Sequence, residues 1–101
     1  MKNPNSVVCF SSEVELSLKA LARIRELQDF AHRNRRRFER LSDRERQILA
    51  MVCAGHTNEE IAKLLYRSVN TIRTHRNNIW RQLDIRSVVD AVKWGQAFDL
   101  V

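Results

Sequence analysis

The sequence predicts an all-α protein, a long N-terminal helix followed by four short ones. Three observations carry that prediction. Only two glycines and one proline interrupt the 101 residues. Apolar residues recur at the 3.6-residue period of a helix rather than in long unbroken runs. A Ser or Thr stands ahead of each periodic run, in four of five cases with an acid three residues on, the pattern of a capping box.

Bulk composition sets limits. At 44% apolar and 30% charged the chain can bury a modest core, and its length suits one domain, or one small domain with an extension. We divide it into an N-terminal helical extension, residues 1–40, and a domain spanning residues 41–101. Eighteen basic against twelve acidic residues give a net charge of +6, which favours polyanions without proving one. Cys9 and Cys53 form no paired motif, so reduced thiols are expected, with Cys53 in the core. No run of apolar residues reaches membrane-spanning length, and the N-terminal residues show no signal-peptide h-region.

The first helix opens at Ser12 with Glu15. Ala20, Ile24, Leu27 and Ala31 alternate steps of four and three, as in a coiled-coil seam, and Asn34 and Phe38 continue the register. With fewer than three heptads, packing against its own domain competes with dimerisation. The helix ends in a basic run, His32-Arg33-Asn34-Arg35-Arg36-Arg37 and then Arg40. Such a run adds phosphate contacts, forms a solvated face, or docks an acidic partner; the neighbouring domain favours the first.

Ser42 with Glu45 opens the second helix, whose Ile48, Leu49, Val52 and Cys53 share a face and which Gly55 stops in a left-handed conformation. Thr57 with Glu60 opens the third, carrying Ile61, Ala62 and Leu65. Tyr66 to Ser68 then leave room only for a sharp turn. Ser68 opens the fourth helix without an acid three residues on, so its first turn keeps N–H donors suited to a phosphate oxygen. There Ile72, Ile79 and Leu83 face the core, while Asn70, Thr74, Asn77 and Arg81 cluster opposite, flanked by Arg73 and Asn78. Ser87 with Asp90 opens the last helix, which offers Val88, Ala91 and Val92 to the core; Trp94, Phe98 and Leu100 follow.

Charge is concentrated rather than spread. Tyr66–Arg86 holds five arginines against one aspartate, whereas Leu41–Leu65 holds three bases against four acids. Two helices around a tight turn, the second with a cationic hydrogen-bonding face, form a unit whose common use is insertion into the major groove of DNA.

Particular residues strengthen this reading. Leu41-Ser42-x-Arg44-Glu45, Ile48-Leu49, Gly55-x-x-Asn58-x-Glu60-Ile61-Ala62, Leu65, Ser68-x-x-Thr71-Ile72-Arg73-x-His75, Ile79 and Leu83 together resemble the LuxR/NarL-type helix-turn-helix of bacterial transcription regulators. A looser tail from Ile85 to Leu100 extends the resemblance to about three-fifths of the chain. It implies a four-helix domain whose third helix enters the major groove. Carried over position by position, Arg73, Thr74 and Asn77 are the base-reading residues. Arg73 suits the O6 and N7 of guanine, Asn77 suits adenine, and the Thr74 methyl suits a thymine methyl. Asn58, Ser68, Thr71, Asn78 and Arg81 are candidates for phosphate contacts. Three positions depart from the pattern. Arg67 replaces an aliphatic residue at the turn, Gly95 replaces an alanine and Asp99 replaces a glycine. The last helix is the family's usual self-association surface, so the dimer geometry is open.

His75 sits beside the core face, where a packed, hydrogen-bonded role outweighs metal binding, and His56 has no second ligand at metal spacing. No catalytic constellation can be assembled, and no cofactor is expected. The expectation is a cytoplasmic, nucleoid-bound bacterial transcription regulator without an attached sensor domain. It binds double-stranded DNA sequence-specifically as a homodimer, formed beforehand or on DNA, with RNA polymerase or another regulator as possible further partners and no membrane. The alternative is a protein-interaction module that titrates a full-length LuxR-type regulator by mixed dimerisation.

Overall fold

The computed structural model describes the backbone of residues 4–100 and the side chains of residues 14–100. Five helices follow one another: α1 (Pro4–Glu39), α2 (Asp43–Cys53), α3 (Asn58–Leu65), α4 (Val69–Leu83) and α5 (Val88–Ala97). The all-α reading holds, as one long helix ahead of a four-helix unit.

Helix α1 starts eight residues before the Ser12 cap that the sequence suggests. Pro4 is compatible with a first turn, where its missing N–H has no partner to lose, and nothing between it and Ser12 breaks a helix. Ser12 therefore lies within α1; its side chain, like that of Cys9, falls outside the described residues.

The next three caps form as their sequences require. Ser42 and Thr57 each accept from the N–H three residues on, while Glu45 and Glu60 return the bond to the cap N–H at 2.9 and 2.8 Å. Ser68 accepts from Thr71 N–H at 3.1 Å. The fifth is a half-box: Ser87 accepts from Asp90 N–H, but Asp90 turns its carboxylate to Arg86 N–H, 3.1 Å away, one residue earlier than a capping box demands.

Four helices end alike. Gly55, Tyr66, Asp84 and Asp99 have φ of 94°, 54°, 54° and 58°, and the following N–H reaches back five residues. These bonds run from His56 to Met51, Arg67 to Ala62, Ile85 to Trp80 and Leu100 to Gly95, at 3.1, 2.9, 2.9 and 2.8 Å. Left-handed backbone is cheap for glycine and costs an L side chain about 1–2 kcal/mol. A Cβ on Gly55 would meet nothing within 4 Å. Gly55→Ala is thus expected to cost about 1 kcal/mol by backbone strain alone, seen as a lower urea midpoint without a change in slope.

The core is continuous. Ile48, Leu49, Ile61, Ile72, Ile79 and Leu83 are fully buried, joined by Phe38, Leu41, Val52, Ile85, Ala91 and Trp94. Half-buried Val69 packs against it from the first turn of α4, while Arg67 stays exposed in the turn before. On α5 the sequence reading needs correction. Val88 is exposed and Val92 only half-buried, because the helix turns Ala91, Trp94 and Gly95 inward. Trp94 lies within the helix rather than after it.

The lower half of α1 packs on α5 and α4. Ala31 and Phe38 are buried, Leu27 and Asn34 half-buried, and Phe30 meets Trp94 edge to face at 5.0 Å. Phe38 stacks on Phe98 at 4.1 Å. This half of the expected coiled-coil seam is spent inside the molecule; Ala20 and Ile24 above it remain exposed.

Cys53 is a free thiol, half-buried, whose Sγ lies 3.2 Å from Ala91 O. Burial pushes its pKa up, a backbone hydrogen bond at Gly95 opposing the shift, which keeps the group a neutral core residue.

Candidate nucleic-acid interface

The interface is built on α3, the Tyr66–Ser68 turn and α4. The turn holds because Arg67 N–H closes on Ala62 O while Ile61, Ala62 and Ile72 bury the inner sides of both helices. At the start of α3, the N–H of Thr57 holds the Glu60 carboxyl below the usual carboxylate range, assisted by the Thr57 hydroxyl. A lowered folded-state pKa means that this contribution is present above the ordinary carboxylate pKa and is lost as pH falls through the depressed value.

Helix α4 presents an outer face on which Asn70, Arg73, Thr74, Asn77, Asn78 and Arg81 are all exposed. There is no acid in its first turn, and Arg81 stands in its last. The three base-reading candidates are all exposed on this face, Thr74 and Asn77 within it and Arg73 at its edge. Thr74 Oγ1 donates to Asn70 O at 3.0 Å, so its hydroxyl is satisfied within the helix.

Of the phosphate candidates, Ser68 and Thr71 share the N-terminal end of α4 with their hydroxyls 2.9 Å apart. Asn78 and Arg81 lie at the other end, exposed. Asn58 sits in the first position of α3, half-buried, and its Oδ1 accepts from Arg76 Nη1 at 2.9 Å. Its amide N–H groups are the donors it can offer a phosphate.

Arg76 is the residue that sequence reasoning missed. Its guanidinium stacks over Trp80 at 4.8 Å while bonding Asn58, so one side chain ties the start of α3 to the middle of α4. The visible signal was the Arg-Trp pair four residues apart on a helix. Arg40 was noted only as part of a basic run, yet it stands beside Asn78 and Arg81.

His75 is half-buried, as its position beside the core predicts, but the expected hydrogen bond is not formed at Nδ1, which is buried without a partner. Among the described residues no group of His, Cys, Asp and Glu is arranged to hold a metal. No described helix is long and apolar enough to cross a membrane.

A tight helical pair with a buried inner side and a cationic, hydrogen-bonding outer helix is a helix-turn-helix, a DNA-binding module and not an enzyme. The chain belongs to the luxR family of bacterial regulatory proteins, whose family profile matches residues 39–94. Among relatives, the uncharacterized response regulatory protein YgeK of Escherichia coli K12 is 43% identical over 53 residues, covering 52% of this chain and 36% of YgeK. The response regulator protein VraR of Staphylococcus aureus is 31% identical over 64 residues, covering 63% of this chain and 31% of VraR. VraR of Staphylococcus saprophyticus matches equally well. The chain spans about a third of the length of these curated relatives.

Proposed function

We propose that this chain regulates transcription by binding duplex DNA sequence-specifically, with α4 in the major groove. The observation that carries the reading is the exposed outer face of α4, free of acids until Asp84. Arg73 takes the guanine O6 and N7, Asn77 an adenine edge, and the Thr74 methyl, its hydroxyl already bonded, a thymine methyl. Asn58, Ser68, Thr71, Asn78 and Arg81 bind phosphates and fix the register of the helix, with affinity coming from counterion release. Arg76 positions Asn58 for that role. Selection from random duplexes at one fixed salt concentration tests the reading; salt-sensitive binding with no enriched sequence contradicts it and favours the titrating alternative.

One small domain buries too little surface for useful specificity, so two copies act on half-sites about one helical turn apart. The upper part of α1 supports self-association: Val14, Leu16, Leu18, Leu21 and Ile24 are exposed, Leu21 by 61%. Val14, Leu18, Leu21 and Ile24 share one stripe of the helix, and an exposed apolar stripe is poorly satisfied alone. Leu21→Asp, which touches no core residue, is expected to shift the sedimenting species from dimer to monomer while leaving helicity unchanged. A wild-type chain that already sediments as a monomer at high concentration removes α1 from the dimer.

A further inference from the structure

The chain places a second cationic element next to the recognition helix, and it comes from the end of α1. Arg40 follows the last turn of α1, where Arg36 and Arg37 also lie. Its backbone is pinned: Arg40 N–H bonds Arg37 O, Leu41 N–H bonds Phe38 O, and Phe38 and Leu41 are both buried. The end of α1 is tied to α4 as well, through Gln82 Nε2 and Arg37 O at 3.4 Å. With its neighbours anchored, exposed Arg40 shares an open notch of about 280 Å³ with Asn78, Arg81, Gln82 and Glu45. The one carboxylate there, Glu45, is turned onto the Ser42 N–H at 2.9 Å. The rest of the lining is two guanidinium groups and the neutral amides of Asn78 and Gln82, at the foot of α2, whose first turn carries Asp43 and Glu45.

We propose that this notch binds a backbone phosphate of the DNA flanking the recognised site, with Arg40 and Arg81 as its two cations. This rests on the reading that α4 lies in the major groove, because the notch adjoins the C-terminal half of α4. The contact carries no sequence information; it strengthens binding wherever the duplex continues past the site.

The test measures affinity against salt for the wild-type chain, Arg40→Ala, Arg40→Lys and Arg23→Ala, on a selected duplex and on one trimmed to the site. Arg23 lies about 25 Å up α1 from Arg40 at the helical rise and controls for net charge alone. One lost phosphate contact lowers the salt slope by about 0.9, so the advantage of wild type over Arg40→Ala should shrink about 3.5-fold between 50 and 200 mM salt. Arg40→Lys should restore most of the slope, Arg23→Ala should leave it unchanged, and trimming the flank should abolish the difference. If wild type selects a site but Arg40→Ala keeps the full slope, or Arg23→Ala loses as much, the notch is not a phosphate site. An Arg40 effect confined to capture of an acidic protein overturns it equally. If wild type selects no duplex, the major-groove reading beneath the proposal fails first.

Discussion

Trp94→Ala is expected to cost about 3–5 kcal/mol of stability, the range for removing a buried aromatic side chain. Trp94 is the hinge of the aromatic cluster that binds α1 to α5. It receives the edge of Phe30 at 5.0 Å and lies 5.7 Å from Phe98, which stacks in turn on Phe38. Truncation therefore leaves a cavity whose walls come from two helices, and it removes aromatic pairs worth about 0.5–1.5 kcal/mol each beyond their buried area. A domain of this size has about 5–15 kcal/mol in all. The variant should show a large fall in urea midpoint, and α1 should become accessible to protease between Phe30 and Phe38. A loss under about 1 kcal/mol would mean that α1 does not pack as described.

Arg73→Ala is expected to lower discrimination between a selected and a random duplex by about 1–3 kcal/mol, roughly 5- to 150-fold, the size of one bidentate base contact. Nothing in the fold should change, since the Arg73 side chain is exposed. Arg81→Ala supplies the contrast. A phosphate contact contributes equally on every sequence, so this variant should weaken all duplexes alike and flatten the salt slope by about 0.9. Competition binding separates the two. Equal loss on selected and random DNA for Arg73→Ala would reassign that residue to the backbone.

Much of this architecture was legible because local chemistry and global packing agree. Ser42-x-x-Glu45 and Thr57-x-x-Glu60 are complete instructions for a helix start, and Gly55 for a stop. The buried faces of α2, α3 and α4 followed from period alone. The misses share a cause: they depend on what lies across space. Tyr66, Asp84 and Asp99 adopt the same left-handed ending as Gly55 without glycine, because the bond back to the helix and the packing after it outweigh the strain. Val88 looked like core until α5 turned Trp94 and Gly95 inward instead. The α1 stripe was readable as a seam, but its partner, which for the lower half is α5, was not.

The same limit governs the site. The outer face of α4 could be drawn on a helical wheel, so Arg73, Thr74 and Asn77 fell where the chain exposes them. The role of Asn58 could not, because it depends on Arg76 reaching across eighteen positions to its Oδ1. Arg40 was read only within a basic run favoured for phosphate contacts; its place beside Arg81 depends on the anchoring of Phe38 and Leu41.

The central claim is that the outer face of α4 reads base edges in the major groove. Methylation interference at a selected site tests it most directly, because methylating guanine N7 blocks the major-groove edge and methylating adenine N3 blocks the minor. The account predicts strong interference at guanine N7 that largely disappears in Arg73→Ala. Interference confined to adenine N3, or none at any base, would contradict it.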